Sequence, residues 1–312
     1  MNQVLTIVVP VFAFVVLGWV AARTKFLNRE VERGLGAFAL WVAIPALLFR
    51  LMATTEFPDE PAFGLMVAFF GSAGTAWLLS SLLAKALGRP PGTSASFAMG
   101  GTFGNTVMMG IPLALGTFGD AAVFPLALVT AIHAPVFWLL STVQYEWAGT
   151  KHDIPFTTVL RDMVLVLAKN PVVMAIIAGT LWRLTGFGLH PLFDDVITQA
   201  GQAAIPCALF ALGMSLASYG LKGELRAAPA LAIIKLVVMP AVAWVIAYHV
   251  FDLPNAWAGT IVLLAAVPTG LNAYLFASKY ECGVASVSGA IVLSTLFSVF
   301  TLSVVIAYFG AV

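Results

Sequence analysis

Two stretches rich in glycine and proline interrupt apolar parts of the chain. The first reads GGTFGNTVMMGIP over residues 100–112 and carries four glycines ahead of a proline. The second reads AAVPTGLNAY over residues 265–274 and brings a proline, a glycine and an amide together. Glycine weakens a helix and proline removes a backbone donor, so each stretch predicts a broken helix or, alternatively, a kink that only shapes packing. In a membrane, freed backbone groups are tolerated where they face a cavity or a ligand.

The groups at these two breaks have the chemistry to bind a small ion. Amide and hydroxyl donors hydrogen-bond a carboxylate, and the N-termini of half-helices carry partial positive charge. The expected substrate-binding residues at the breaks are Gly104, Asn105, Thr106, Gly110, Pro112, Pro268, Thr269, Gly270 and Asn272. Oxygen atoms of the same groups suit a hard cation, so a sodium ion near Asn105, Thr269 and Asn272 is a further expectation. No cofactor is expected beyond a coupling ion, which could be sodium or a proton.

Two ionisable residues lie inside apolar segments. Lys235 lies about seven residues into its segment, where a charge is costly and usually marks function. It could attract a carboxylate substrate, and we include it in the expected site, or it could extend to the cytoplasmic surface. His133 could relay protons or could be an ordinary interior histidine. The 14 acidic residues fall in loops or at segment ends, which argues against obligate proton coupling and leaves sodium coupling or uncoupled transport open.

The surrounding chain must be embedded in lipid. Of its 312 residues, 61% are hydrophobic and 9% are charged, whereas soluble domains carry about 25% charged residues. The net charge of +1 gives no indication of nucleic-acid binding. The expected fold is an all-α membrane protein with ten transmembrane helices, of which helices 4 and 9 are broken and cross. The apolar segments cover residues 3–22, 35–53, 62–84, 94–117, 121–144, 170–187, 197–218, 228–250, 256–277 and 284–309.

The basic residues alternate between the two sides of this arrangement. Twelve of the 15 Lys and Arg residues lie in the five loops that share one side, whereas the opposite side has Arg50 and Arg183. The positive-inside rule places those five loops in the cytoplasm and both termini on the non-cytoplasmic side of the cell (inner) membrane. The same alternation supports a count of ten spans.

The two halves of the sequence repeat each other. At an offset of 161 residues, Pro10, Gly18 and Pro45 align with Pro171, Gly179 and Pro206. Because five spans is an odd number, the second copy would insert upside down, as in many secondary transporters. The expected units are a first inverted repeat over 1–147, a cytoplasmic linker over 148–169 and a second inverted repeat over 170–312. In the linker, Asp153–Phe156 leads into a mixed segment that predicts an amphipathic surface helix.

The motifs at the breaks resemble those of a known family. The run NTVMMGIPL from Asn105 resembles the fourth-helix crossover motif of the auxin efflux carrier family, which includes the plant PIN carriers and bacterial malonate-type carriers. The run AAVPTG from Ala265 resembles the ninth-helix motif of the same family. The segments PALLF from Pro45 and PCALFALGM from Pro206 also resemble family motifs, so the likeness spans the whole chain.

This resemblance implies a scaffold part and a transport part, with helices 4 and 9 crossing in the transport part. It implies an anionic substrate near the crossing, elevator-like movement and often a homodimer. In the plant carriers the asparagine equivalent to Asn105 contacts the substrate carboxylate. This chain lacks the long loop between spans 5 and 6, and has Asn272-Ala273 where the plant motif usually shows a further proline. These departures argue against auxin and favour a small mono- or dicarboxylate.

The function expected from the sequence is secondary transport of a small organic anion. The alternative is a membrane sensor or a channel-like protein that uses the same fold without coupled transport. An intramembrane enzyme is not expected, because the sequence contains no HExxH motif, no GxSxG motif and no buried pair of aspartates. The expected partners are the anion, membrane lipid and a second copy of the chain.

Overall fold

The computed structural model describes residues 2–56, 62–148, 156–217 and 226–310, and its regular elements there are helices. Within these ranges the extended pairing is a single isolated β-bridge. The prediction of an all-α fold is therefore confirmed for the part of the chain that is described. Loop residues 149–155 and 218–225, which include Asp153–Pro155 and the basic residues Lys151 and Lys222 used for orientation, lie outside it.

The first half of the chain forms seven α-helices. They are α1 (Asn2–Arg23), α2 (Arg29–Phe38), α3 (Ile44–Thr54), α4 (Phe63–Ala86), α5 (Thr93–Thr102), α6 (Ile111–Phe118) and α7 (Val123–Trp147). A π-helical turn, Ala39–Ala43, joins α2 to α3, and a second one, Thr106–Gly110, leads into α6. A short 3-10 turn at Gly119–Ala122 joins α6 to α7.

The second half repeats this alternation of long and interrupted helices. Its helices are α8 (Phe156–Lys169), α9 (Pro171–Leu184), α10 (Pro191–Gln202), α11 (Ala204–Leu216), α12 (Ala227–Ile233), α13 (Met239–Trp244), α14 (Asn255–Ala266), α15 (Leu271–Lys279) and α16 (Val284–Gly310). A π-helical turn at Ile234–Val238 joins α12 to α13, and another at Val245–Val250 extends α13. Helix α8 lies within the predicted linker.

Seven helices of the described chain are long and apolar enough to cross a membrane. They are Val4–Arg23, Arg29–Thr54, Phe63–Ala86, Thr106–Trp147, Pro191–Leu216, Ala227–Val250 and Val284–Phe309. Two shorter apolar helices, Pro171–Leu184 and Asn255–Ala266, accompany them. The number differs from ten partly because the predicted fourth and ninth spans are broken, so that α5 and α14 each fall short of the roughly 20 residues that cross a bilayer. In addition, α6 and α7 belong to one continuous helical run, Thr106–Trp147, whose 42 residues count as a single candidate span.

Two close helix crossings bring the halves together at their beginnings. Helix α1 packs against α11, and α3 packs against α9. A Cβ on Gly18 would meet the backbone of Phe210, and a Cβ on Gly179 would meet the backbone of Phe49. Gly179 and Phe210 each lie 161 residues after Gly18 and Phe49. The contacts of α1 with α11 and of α3 with α9 thus use matched residues, and glycine lets the backbones approach closely in each contact.

A polar contact ties α3 to α10 at one end of this packing. The Arg50 guanidinium donates two hydrogen bonds to the Asp194 carboxylate, Nε–Oδ1 at 2.6 Å and Nη2–Oδ2 at 3.1 Å. Nearby, Arg183 Nη1 donates to the backbone carbonyl of Thr55 at 3.2 Å. The two arginines predicted on the sparsely charged side therefore connect helices from different halves.

Buried apolar side chains form two main clusters. One is built around α1, α3 and α11, with α6 packed against it. The other is built around α4, α5, α13, α14 and α15. The interrupted segments after α5 and α14 lie where the two clusters meet, because Phe103 belongs to the second cluster and Val267 to the first, and they position the candidate site.

Candidate functional site

The two helix breaks meet and pair with each other. Helix α5 ends at Thr102 and α14 ends at Ala266, and the following residues run antiparallel through a β-bridge between Gly104 and Thr269. The Asn105 N–H donates to the Pro268 carbonyl at 2.8 Å, and the Gly270 N–H donates to the Phe103 carbonyl at 2.9 Å. The backbone groups that the breaks release thus satisfy each other in a reciprocal pair. We call residues 103–105 and 268–270 the crossing.

Asn105 begins a new helical run on the first side of the crossing. Its carbonyl accepts hydrogen bonds from the Met109 and Gly110 N–H groups at 3.1 and 3.2 Å. Its side chain is only 9% exposed and makes no hydrogen bond to any described residue. Buried amides are normally hydrogen-bonded. The Asn105 side chain is therefore available to a ligand at the start of the run formed by Thr106–Gly110 and α6.

The next residue is fixed from a neighbouring helix. The Thr106 hydroxyl lies 2.8 Å from Nε2 of His133, and Nδ1 of that imidazole lies 2.9 Å from the Val129 carbonyl. Thr106 and His133 are both about 1% exposed. Sequence reasoning left His133 outside the site because the sequence around a single histidine in an apolar segment does not show which residue it contacts. Its hydrogen bond places it next to the predicted binding residues.

Lys235 is fully buried beside the crossing and does not extend to the membrane surface. Its ammonium donates to the Ala265 carbonyl near the end of α14, and to the Met239 sulfur at 3.5 Å. A Cβ on Gly104 would lie 3.2 Å from the ammonium nitrogen. A cation is favoured at a helix C-terminus. Among the described side chains no carboxylate forms an ion pair with Lys235, so its charge lacks an acidic partner.

Residues on the second side of the crossing hold its shape. The Thr269 hydroxyl donates to the Gly100 carbonyl at 2.8 Å, and the Thr269 N–H donates to the Ser294 hydroxyl at 3.0 Å. A Cβ on Gly270 would lie 2.9 Å from the Phe103 ring and 3.0 Å from the Gly104 carbonyl, so glycine permits this close approach. Sequence reasoning missed Ser294, because α16 carries five serines and its sequence does not single out this one.

The remaining predicted site residues lie further along their helices. Gly110 is buried in the π-helical turn, where a Cβ would lie 2.7 Å from the Leu264 side chain. Pro112 is buried in the first turn of α6. Asn272 is partly exposed in the first turn of α15. The structure therefore brings Gly104, Asn105, Thr106, Lys235, Pro268, Thr269 and Gly270 together, with Asn272 at the edge and with Gly110 and Pro112 in helix packing.

Comparison with known proteins assigns this arrangement to a family. The family model described as membrane transport protein matches residues 3–306. The chain belongs to this family. The resemblance to the auxin efflux carrier family, which was based on the motifs at the two breaks, is thereby confirmed. The seven apolar helices of the described chain also fit a multi-pass membrane protein.

Relatives of this membrane transport protein align over nearly their full length. A protein of Rhizobium meliloti (strain 1021) named putative malonate transporter is 28% identical over 308 residues, covering 97% of this chain and 95% of the relative. An uncharacterized transporter of Methanocaldococcus jannaschii is 22% identical over 312 residues, covering 95% and 96%. The uncharacterized transporter YfdV of Escherichia coli (strain K12) is 23% identical over 306 residues, covering 94% and 93%.

The crossing of this membrane transport protein combines three features that suit a small anion. It has an amide without a partner at Asn105, the starts of two helical runs at Thr106 and Leu271, and a buried cation at Lys235. The first two groups donate hydrogen bonds or carry partial positive charge, and the third carries a full charge. Within the described residues, no cluster of His, Cys, Asp and Glu of the kind that holds a metal ion occurs.

Proposed function

We propose that this protein is a secondary transporter that moves a small organic anion, a carboxylate, across the membrane. The observation that carries the proposal is that the crossing holds both an Asn105 amide without a partner among the described residues and a buried Lys235 ammonium. A buried cation without a carboxylate partner is costly for the protein alone. A bound carboxylate would supply the missing negative charge, and the Asn105 amide would donate a charge-assisted hydrogen bond to it.

The substrate class that we propose is a small mono- or dicarboxylate, with malonate as the first compound to test. The name of the Rhizobium meliloti relative supports malonate. The short crossing also favours a compact ligand, because Phe103 and Gly270 pack directly against each other beside Asn105. Asn272-Ala273, in place of a further proline, argues against auxin. The relatives are all named as transporters, which favours transport over catalysis.

The architecture that we propose is ten transmembrane helices in two inverted repeats, residues 1–147 and 170–312, with 148–169 as the cytoplasmic linker. Two observations support it. The contacts of Gly18 with Phe210 and of Gly179 with Phe49 are reciprocal. The hydrogen bonds across the Gly104–Thr269 bridge are reciprocal as well. Both patterns are what a two-fold axis in the membrane plane would produce.

Transport in this proposal follows an elevator-like alternating-access mechanism. The hydrophobic cluster around α4, α5, α13, α14 and α15, which contains Phe103 of the crossing, would move against the cluster around α1, α3 and α11, which would act as the scaffold. Thr106 and Lys235 are buried and Asn105 is only 9% exposed, so movement of one part against the other would be needed to expose them fully. The large apolar side chains exposed on α1, α9 and α10 offer surface for lipid and for a second copy in a homodimer.

The protein would reside in the cell (inner) membrane with both termini on the non-cytoplasmic side, as the distribution of Lys and Arg indicates. The transport cycle would be coupled to sodium or to a proton, or would run without a coupling ion. For sodium, the oxygens of Asn105, Thr269 and Asn272 are the proposed ligands.

The test of this function is uptake of labelled malonate and related carboxylates into proteoliposomes that contain the purified protein. The proposal expects uptake that saturates with substrate concentration, together with chemically unchanged malonate inside the vesicles. Uptake that rises linearly with concentration would indicate the channel-like alternative. Absence of uptake for every carboxylate, in protein that remains folded, would contradict the proposal.

A further inference from the structure

The hydrogen bond between Thr106 and His133 has a definite direction. The Val129 carbonyl lies 2.9 Å from Nδ1 of His133 and only accepts hydrogen bonds, so Nδ1 carries a hydrogen. In the neutral imidazole, Nε2 is then the acceptor. The Thr106 hydroxyl, 2.8 Å away, must therefore donate its hydrogen to Nε2. In this state Thr106 presents only oxygen lone pairs to its other neighbours.

Protonation of His133 would reverse this direction. Both imidazole nitrogens are donors in the cationic form. Nδ1 would keep its bond to the Val129 carbonyl, and the new Nε2–H would donate to the Thr106 oxygen. The Thr106 hydrogen would then be free to rotate toward the neighbouring Asn105 side. Thr106 thus changes from an acceptor, which repels a carboxylate, into a donor, which binds one.

We propose that His133 is the proton-binding site that couples carboxylate transport to a proton, and that it acts through the Thr106 hydroxyl. The proposal rests on the carboxylate function proposed above. A proton on His133 would favour the anion at Asn105 and Thr106, and by linkage the anion would favour the proton to the same extent. Substrate and proton would therefore bind and leave together.

The positive charge of Lys235 also makes protonation of His133 depend on the substrate. Among the described residues, Lys235 is the one buried Lys, Arg, Asp or Glu side chain, and its ammonium lies beside Gly104 at the crossing. It opposes a second positive charge at His133 until an anion lies nearby, which strengthens the dependence of protonation on substrate. The other charged side chains on the helices that pack against α7 are exposed or paired. Arg183 is partly exposed in the last turn of α9, and Arg50 is paired with Asp194. The exposed ones are Lys85, Asp120, Arg161 and Lys169. Tyr145 and Glu146 lie at the far end of α7 itself.

Aromatic rings enclose the imidazole on its remaining sides. The rings of Phe69, Phe103 and Phe137 lie 6.4, 5.1 and 6.3 Å from it, centroid to centroid. At these separations the three rings give the imidazole a largely apolar surrounding. The proton step balances with a hydronium ion from the acidic outer solution, which gives one proton to Nε2 when the crossing is open and leaves as water; Thr106 keeps its own hydrogen, and release of the substrate reverses both changes.

The proposal is tested with three variants in proteoliposomes under an imposed pH gradient. His133→Gln supplies an amide that still bonds Thr106 but does not titrate, Thr106→Val removes the hydroxyl, and Thr106→Ser retains it. His190→Gln, in an exposed residue on α10's N-terminal side, is the matched control. Each protein is also checked for thermal unfolding, so that loss of fold is recognised.

Wild type and His190→Gln should accumulate malonate when the outer solution is acidic, and proton uptake should accompany it. Their apparent malonate affinity should fall about tenfold per pH unit above the pH at which His133 titrates. Thr106→Ser should retain this behaviour. His133→Gln and Thr106→Val should lose accumulation and pH dependence while still exchanging labelled for unlabelled malonate at a reduced rate.

Two results would overturn the role of His133. One is proton-driven accumulation by His133→Gln at the wild-type level. The other is saturable malonate transport by wild type that depends on sodium and not on pH. Failure of wild type to bind or transport any carboxylate at any pH would instead overturn the proposed function, and this inference with it.

Discussion

Asn105 and Gly270 occupy equivalent positions on the two sides of the crossing, yet they contribute different chemistry. Each donates its N–H to a carbonyl on the opposite strand. Asn105 adds a side-chain amide without a partner, whereas Gly270 adds no side chain and allows Phe103 to approach. The two threonines next to the crossing and in it also differ, because the Thr106 hydroxyl hydrogen-bonds His133, whereas the Thr269 hydroxyl donates to the Gly100 carbonyl of α5. A symmetric backbone therefore carries two chemically different sides, which we propose to be a binding side and a structural side.

The largest expected effect comes from removing the charge next to the binding side. Lys235→Met keeps a side chain of similar length in the apolar interior, and we expect malonate uptake to be lost. Thermal stability should not decrease, because replacing a buried charge without an acidic partner by an apolar group is often neutral or stabilising. Lys85→Met, in an exposed residue of the last turn of α4, is the control and should transport normally. Wild-type uptake by Lys235→Met would remove Lys235 from the binding side.

An intermediate effect, on stability and not on binding, is expected from the structural side. Thr269→Val removes the hydroxyl that donates to the Gly100 carbonyl while keeping the volume of the side chain. We expect a loss of about 1 kcal/mol in the free energy of unfolding. The malonate affinity of the folded protein should stay close to wild type. A large loss of affinity without a change in unfolding would show that Thr269 binds the ligand and that the two sides are not distinct.

The smallest effect is expected at Asn272. It lies partly exposed in the first turn of α15, on the structural side. Asn272→Ala should lower malonate binding by roughly 0.5 kcal/mol or less, the low end for a hydrogen bond. Direct titration of malonate into purified wild type and variant measures this difference. Asn105→Ala, which removes the proposed binding amide, should cause a larger loss. An equally large loss in Asn272→Ala would make the site symmetric in chemistry as well as in backbone.

The sequence predicted the existence and pairing of the breaks better than their position. Pro112 was placed in the first break, but it lies in the opening turn of α6, where a proline needs no backbone donor and its fixed φ suits the helix. The break itself lies at residues 103–105, where the glycines and the reciprocal bonds with 268–270 determine the path. A one-dimensional pattern does not contain these cross-chain bonds.

The sequence also could not predict which neighbours the side chains of Lys235 and His133 contact. Lys235 could have reached the membrane surface or the interior, and its contact with the Ala265 carbonyl, 30 residues away in the chain, decides between them. His133 had no visible partner until Thr106 was placed beside it. By contrast, the helical class follows from composition, the family from the resemblance of the motifs at the two breaks, and the matched glycines Gly18 and Gly179 from their spacing in the chain.

The most direct test of a binding side and a structural side is ligand-induced thermal stabilisation of wild type, Asn105→Ala and Asn272→Ala with malonate. A ligand at 100 times its Kd stabilises the native state by about 2.7 kcal/mol. We predict that malonate raises the unfolding temperature of wild type and Asn272→Ala at a concentration that leaves Asn105→Ala unchanged. Equal stabilisation of Asn105→Ala and wild type would contradict a carboxylate site at Asn105.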